Sequence, residues 1–259
     1  MSVANIVKAA VRTVVEKLVL RPVQFLLNNV SVNHDLAAEI RRQTSVECAQ
    51  YIMQNARSAL QFKLREELWD FTLPKIPQKG LILEFGVHRG YSLNYFAKRF
   101  PERMLFGFDS FEGLHVDWAG TGAAKSTFDL DGKLPSVRPN VSLVKGWFDQ
   151  TLPPFLSQHE GDIALLHIDC DTYEATKIVL DLIPDRLTTG SVIIFDDYFG
   201  YRGWLIGEHK AWIEFAERNK VDYEYLGFTT ERVSLVVRKV DAHATRPVLA
   251  QVSPGPIAG

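Results

Sequence analysis

Two short motifs concentrate the acids of this sequence at the ends of apolar runs. His167-Ile168-Asp169-Cys170-Asp171 closes the run beginning at 162, and Phe195-Asp196-Asp197-Tyr198 closes the run beginning at 191. If the runs are neighbouring parallel strands, Asp169, Asp171, Asp196 and Asp197 crowd one small volume, where they repel one another and raise their own pKa values. A hard divalent cation resolves that conflict, and all-oxygen ligation favours magnesium, manganese or calcium over zinc. Capping of the helices that follow is the competing use; it suits one of these acids better than all four. Cys170 is a tempting nucleophile, but if Asp169 and Asp171 face the site, strand alternation turns Cys170 away.

A second set precedes it. Glu84-Phe85-Gly86-Val87-His88-Arg89-Gly90-Tyr91-Ser92 ends an earlier apolar run. Gly86 permits a tight turn there, and Gly90 lets the next helix come close. His88 stands where the dinucleotide fingerprint G-x-G-x-x-G has its middle glycine, which argues against a bulky diphosphate and a nicotinamide-dependent dehydrogenase. The next run ends in Asp109, about 20 residues on, where such folds place an acid that grips ribose hydroxyls. A turn or helix cap is the plainer role for it. Trp118, Trp147, Phe148, Tyr198, Tyr201 and Trp204 fall in loops near strand ends, where rings can stack on a base or cover a sugar. His88 and His167 are supporting candidates only.

Positioning these groups requires βα units. Short apolar runs at 81–86, 104–109, 141–145, 162–169 and 191–197 alternate with amphipathic segments at 91–99, 149–157, 173–187 and 205–219. Two further β-rich runs, 222–228 and 232–239, are joined by a link that suits a hairpin. Seven strands with the last antiparallel predict an α/β, doubly wound sheet, whose ligands bind outside the strands' carboxyl ends. The stretch 110–138 is too long for an ordinary connection and reads as a lid or substrate loop. Residues 3–19 form an apolar stripe at helical spacing, which Pro22 bends or ends. The domain plan is an amphipathic extension over 1–34, a helical region over 35–78 that Pro74 and Pro77 close, the α/β domain over 79–240, and a disordered tail over 241–259 holding three of the twelve prolines.

Composition narrows the classes. The 259 residues are 46% hydrophobic and 23% charged, enough for a full core, which excludes a disordered chain. Two cysteines exclude a disulfide scaffold and a cysteine metal site, and fit a reducing compartment. A net charge of -2 gives no reason to expect nucleic acid. Charge is unevenly spread, at +3 over residues 1–78 and -5 over 79–240. No run reaches the ~18 apolar residues of a membrane span, and charges interrupt the N-terminus where a signal peptide needs an apolar stretch. The expected location is cytoplasmic. The 3–19 stripe predicts a packing or self-association face and a homo-oligomer; its basic polar side makes peripheral membrane contact the second reading.

Five motifs in order, LEFGVHRGYS, GFDSFEGL, VKGWFDQTLP, HIDCDTYEAT and IIFDDYFGYRGW, resemble the class I S-adenosylmethionine-dependent methyltransferases. More narrowly, residues 80–240 are similar to the macrocin O-methyltransferase group, which methylates sugar hydroxyls of macrolide and aminocoumarin antibiotics. The resemblance implies a Rossmann-like fold and S-adenosylmethionine as cofactor. Its methionine part falls to Glu84, Gly86, Gly90 and Ser92, its ribose to Asp109 with Ser110 beside it, and its adenine to Trp147 and Phe148. It further implies Mg2+ or Mn2+ on Asp169, Asp196 and Asp197, Asp171 as general base, and a sugar-containing small-molecule acceptor. Cys170 departs from the glycine frequent in relatives, which bears on the local turn. A catechol O-methyltransferase shares the spacing from Glu84 to Ser92. That group typically has Asp-Asn where this chain has Asp196-Asp197, and a lysine base where this chain has Asp171, Thr172 and Tyr173.

Overall fold

The computed structural model describes residues 14–24, 35–230 and 234–241. The chain divides into two compact units, residues 1–43 and 44–259. In the first, residues 14–24 are helical, and the helix runs through Pro22. The backbone makes room for the proline by widening over Glu16–Leu20, where the Arg21 N–H donates to Glu16 O, five residues back. Pro22 lacks an N–H and its ring crowds the preceding turn, so a widened turn beside it is the expected relief. The rest of the 3–19 stripe, residues 3–13, lies outside the described residues, as does the tail from 242. Among the described residues no helix is long and apolar enough to cross a membrane.

The elements are α1 (Leu36–Asn55), β1 (Leu60–Phe62), α2 (Arg65–Thr72), β2 (Leu81–Phe85), α3 (Tyr91–Arg99), β3 (Leu105–Asp109), β4 (Val141–Lys145), α4 (Phe148–Gln158), β5 (Ile163–Ile168), α5 (Tyr173–Leu182), β6 (Val192–Phe195), α6 (Glu208–Arg218), β7 (Tyr223–Thr229) and β8 (Leu235–Lys239). The strands form one sheet in the order β1-β7-β8-β6-β5-β2-β3-β4. All neighbours are parallel except β8, which runs antiparallel to both β6 and β7. The doubly wound sheet and its antiparallel last strand follow the sequence expectation. The eighth strand is the difference: β1 splits the expected helical region and pairs with β7 at the edge. Its three residues are too few to show a period of two. Residues 44–78 accordingly share a compact unit with the α/β domain, and Leu68 and Trp69 are fully buried there.

Alternation along the central strands divides the core between two faces. Leu83, Phe85, Leu166, Ile168, Ile193 and Phe195 join one cluster with residues of α4, α5 and α6. Ile82, Leu165, Val192 and Ile194 join the other with residues of α2 and α3. The order reverses between β2 and β5, the switch point at which open α/β sheets bind ligands. There the chain turns at Gly86 with φ +90°, and a Cβ on this residue would overlap the carbonyl oxygen of Asp169. Backbone supplies that obstacle, so no rotamer change relieves it. Gly86→Ala is expected to cost about 2 kcal/mol or more, lowering Tm by about 4–8 °C in thermal unfolding followed by circular dichroism. An unchanged Tm would mean that the turn tolerates a side chain.

Candidate active site

Outside the carboxyl ends of β2 to β6 lies a cleft of about 530 Å³, within the range of small-molecule sites. One end is organised by Asp109, at the tip of β3. Its Oδ2 accepts the N–H groups of Val87 at 2.8 Å and His88 at 2.7 Å, and its Oδ1 accepts that of Phe111 at 2.7 Å. The β2–α3 loop is thereby wrapped on this carboxylate, which makes His88 adopt φ +46°. Three acceptances leave a carboxylate about one of its roughly four lone-pair sites. Burial, with Arg89 nearby, holds the His88 pKa below its usual value.

Gly86, Ser92, Asp109, Ser110, Trp147 and Phe148 all line the cleft. Glu84 and Gly90 do not. Glu84 is sealed under the loop, accepting from Ser92 Oγ at 3.0 Å and lying 2.9 Å from His167 Nδ1, its cross-strand neighbour. It ties β2, β5 and α3 together. Gly90 stands at the start of α3 with φ +74°, a backbone role. Of the other aromatic candidates, Trp118 lines the cleft, Tyr198 and Trp204 are core residues, and Tyr201 packs edge-on against Trp118 at 5.3 Å.

The acids occupy the other end. Asp169, Asp171 and Asp197 each place a carboxylate oxygen within 4.8 Å of the others. Asp196 is turned aside: its Oδ2 takes Arg65 Nη1 at 3.1 Å and its Oδ1 takes Ser234 Oγ at 2.9 Å. None of the four caps a helix, because Thr172 caps α5 and Gly207, without a side chain to cap, precedes α6. Burial first, and then neighbouring acids, push Asp169 and Asp171 well above the usual carboxylate range. Glu208, fully buried at the start of α6, is pushed up for the same reasons. Its Oε2 accepts the Asp197 N–H at 3.3 Å, while its Oε1 has no hydrogen-bond partner among the described residues. Cys170 differs from the alternation argument: β5 ends at Ile168, so Cys170 both packs on Thr176 and reaches the cleft wall. Burial raises its thiol pKa, which keeps it protonated.

The 110–138 stretch forms one wall and contributes Leu114, His115, Trp118 and Phe128. It folds on itself through Leu114 N–H to Lys125 O and Trp118 N–H to Ala123 O. Gly120 at its tip meets Gly203 backbone to backbone, with no room for a Cβ on either.

Sequence reasoning missed Arg65 and Glu208. Arg65 lies before the expected domain and carries no motif; the charge imbalance between residues 1–78 and 79–240 was its only trace.

Residues 83–198 match the family model described as a methyltransferase domain. The segment spans both acid groups and omits Arg65. Over 141 residues the chain is 30% identical to 8-demethyl-8-(2,3-dimethoxy-alpha-L-rhamnosyl)-tetracenomycin-C 4'-O-methyltransferase of Streptomyces olivaceus, covering 46% of this chain and 53% of that protein. The chain thus spans about half the length of this curated relative. The crystal structure of the calicheamicin methyltransferase CalS11 superposes with a TM-score of 0.54 at 23% identity, covering 80% of this chain and 93% of that one. At this identity the likeness establishes the Rossmann-like fold.

A carboxyl whose folded pKa exceeds its unfolded value binds more protons folded than unfolded between the two, so stability falls as pH rises through that window. Asp171 is in this position. With divalent cations removed by EDTA, Asp171→Asn should melt above the wild type at about pH 7.5, and the margin should vanish towards ~pH 4, near the ordinary carboxyl value. A lower Tm for the variant at the higher pH would show that Asp171 is stabilised as an anion.

Proposed function

We propose that this chain transfers a methyl group from S-adenosylmethionine to a hydroxyl of a sugar in a glycosylated natural product or glycan, with Mg2+ or Mn2+ at the acid cluster. The observation that carries the reading is one cleft at the switch point with Asp109 at one end and four aspartates at the other, inside a segment that matches a methyltransferase domain. The relative from Streptomyces olivaceus, an O-methyltransferase by name, supports a glycoside acceptor.

The residues fit both groups. Gly86 brings backbone to the cleft lining, Asp109 keeps acceptor capacity for a ribose hydroxyl, and Trp147 and Phe148 supply aromatic surface for a base. Ser92 and Ser110 line the same wall, with Glu84 and Gly90 acting through the loop they hold. Three carboxylate oxygens within 4.8 Å of one another offer the hard donors that a divalent cation selects. When bound, S-adenosylmethionine supplies an electrophilic methyl group, and the cation lowers the pKa of a hydroxyl that it binds.

Asp169, Asp196 and Asp197 are assigned to the cation and Asp171 to the acceptor proton. An alcohol is a weak nucleophile near neutrality, so a nearby base must take its proton as the reaction proceeds. Burial, then the neighbouring acids, raise the Asp171 pKa, which makes its ionised form a stronger proton acceptor than an ordinary carboxylate. The wall at 110–138 and the aromatic rings would hold the acceptor in position. No lysine lines the cleft among the described residues, which disfavours the catechol type and its lysine base. One observation favours a second arrangement: Asp171 clusters with Asp169 and Asp197 while Asp196 is held by Arg65 and Ser234. In that arrangement Asp171 is itself a ligand.

Calorimetry with S-adenosylhomocysteine should show tight binding that Asp109→Ala weakens by about 10-fold or more; equal affinity would remove Asp109 from the site. Asp169→Asn, Asp196→Asn and Asp197→Asn should lose Mn2+ affinity and turnover together. Asp171→Asn should keep both ligands and lose about 100- to 10,000-fold in turnover on a glycoside acceptor. Loss of Mn2+ by Asp171→Asn with retention by Asp196→Asn would select the second arrangement. Full activity in EDTA would overturn both.

A further inference from the structure

Arg65 opens α2, and its guanidinium sits in the cleft wall with 17% of the side chain exposed. Nη1 donates to Asp196, while Nε lies 3.6 Å from Glu66 Oε1, an ionic contact too long for a hydrogen bond. Nη2 has no hydrogen-bond partner among the described residues. Cζ lies 5.1 Å from the ring centroids of both Trp69 and Tyr91. The Tyr91 hydroxyl in turn donates to Glu66 Oε1 at 2.9 Å. Two rings and two carboxylates therefore fix the guanidinium and leave part of its donor fork unspent. Such a fork suits a planar carboxylate better than any single hydroxyl does. Arg89 also lines the cleft, but it is exposed and makes no hydrogen bond or ion pair among the described residues.

The order of groups along the cleft says which carboxylate. From β4 towards β6 the strand tips present Trp147, Asp109, Gly86, Asp169 and Asp196 in turn, and Arg65 reaches from Asp196 back to Tyr91 at the start of α3, beside the β2 tip. Rings come first, then an acid suited to a ribose, then the glycine turn, and on the far side of that turn the acids together with a fixed cation. That sequence of chemistries matches a ligand built as a base, a ribose and an amino-acid tail. Tyr91, which supports Arg65, directly follows the loop of Gly86 to Gly90.

Resting on the S-adenosylmethionine reading above, we infer that Arg65 binds the α-carboxylate of the cofactor's methionine part, oriented for that purpose by Asp196, Trp69 and Tyr91. The methyltransferase segment is thus completed by a residue that precedes it in the chain. Asp196 serves both partners, since it holds the guanidinium and stands among the acids assigned to the cation.

The test compares S-adenosylhomocysteine with 5'-methylthioadenosine, which keeps the base, ribose and sulfur but lacks the amino-acid tail. Calorimetry is run in EDTA on the full chain as wild type, Arg65→Gln and Arg65→Lys, with circular dichroism checking the fold of each. Arg65→Gln should weaken S-adenosylhomocysteine by about 10- to 100-fold and methylthioadenosine by less than about 3-fold. Arg65→Lys, which keeps the charge and loses the fork, should fall between and serves alone if the glutamine variant does not fold. Equal losses for both ligands would make Arg65 a structural partner of Asp196 only and overturn the inference. So would undiminished binding of S-adenosylhomocysteine. A wild type that binds neither ligand would instead overturn the cofactor reading, and this inference with it.

Discussion

Mutual repulsion among Asp169, Asp171, Asp196 and Asp197 is the constraint around which the rest of the domain is arranged. Two unit charges no more than 4.8 Å apart repel by about 3.5 kcal/mol or more at an effective dielectric of about 20, and Asp169, Asp171 and Asp197 form three such pairs. The fold relieves part of this locally. Arg65 and Ser234 engage Asp196, and burial favours the protonated forms of Asp169 and Asp171. Glu208 adds a fifth carboxyl behind the cluster instead of a counter-charge. A domain selected for stability alone has no use for this arrangement, and the cation proposed above would offset the repulsion.

The apolar sheet makes the arrangement possible. Leu166, Ile168, Ile193 and Phe195 are fully buried immediately before the acids, so β5 and β6 hold their tips rigidly. At the neighbouring tip a different device is used. Glu84 and His167, each about 1% exposed, join adjacent strands inside the core, and Ser92 extends the link to α3. Asp109 then draws the loop closed through backbone N–H groups. The acid at β3 is therefore at once the organiser of the loop and a wall of the cleft, and these tasks use different lone pairs of one carboxylate.

Most of this was legible in the sequence because strand tips announce themselves: an apolar run that ends in an acid or a glycine fixes both the element and its functional end. Tyr91–Arg99 and Leu105–Asp109 lie where their patterns place them for that reason. Glu84 shows the limit of such reading. Its position in the motif was visible, but its inward direction depends on His167, 83 residues away, and on the face that β2 turns to α3. Arg65 was invisible for a related reason, since its charge makes sense only beside Asp196, 131 residues on. The short β1 carries too little pattern to be separated from its flanking helices, and the unequal lone-pair use of Asp196 and Asp171 is a matter of rotamers.

The contact between Gly120 and Gly203 bears on how such a domain changes its specificity. The wall at 110–138 holds itself together through its own turns, which makes it look exchangeable as a module. Its tip, however, rests on the same loop that begins with Asp196 and Asp197, through a joint that admits only bare backbone. A wall transplanted from another chain would have to bring its own glycine to that joint, or else push the neighbouring loop and re-aim the acids. On the proposed function, acceptor choice and proton chemistry are therefore inherited together through two hydrogen atoms, and divergence of the wall is confined to the residues between its anchors.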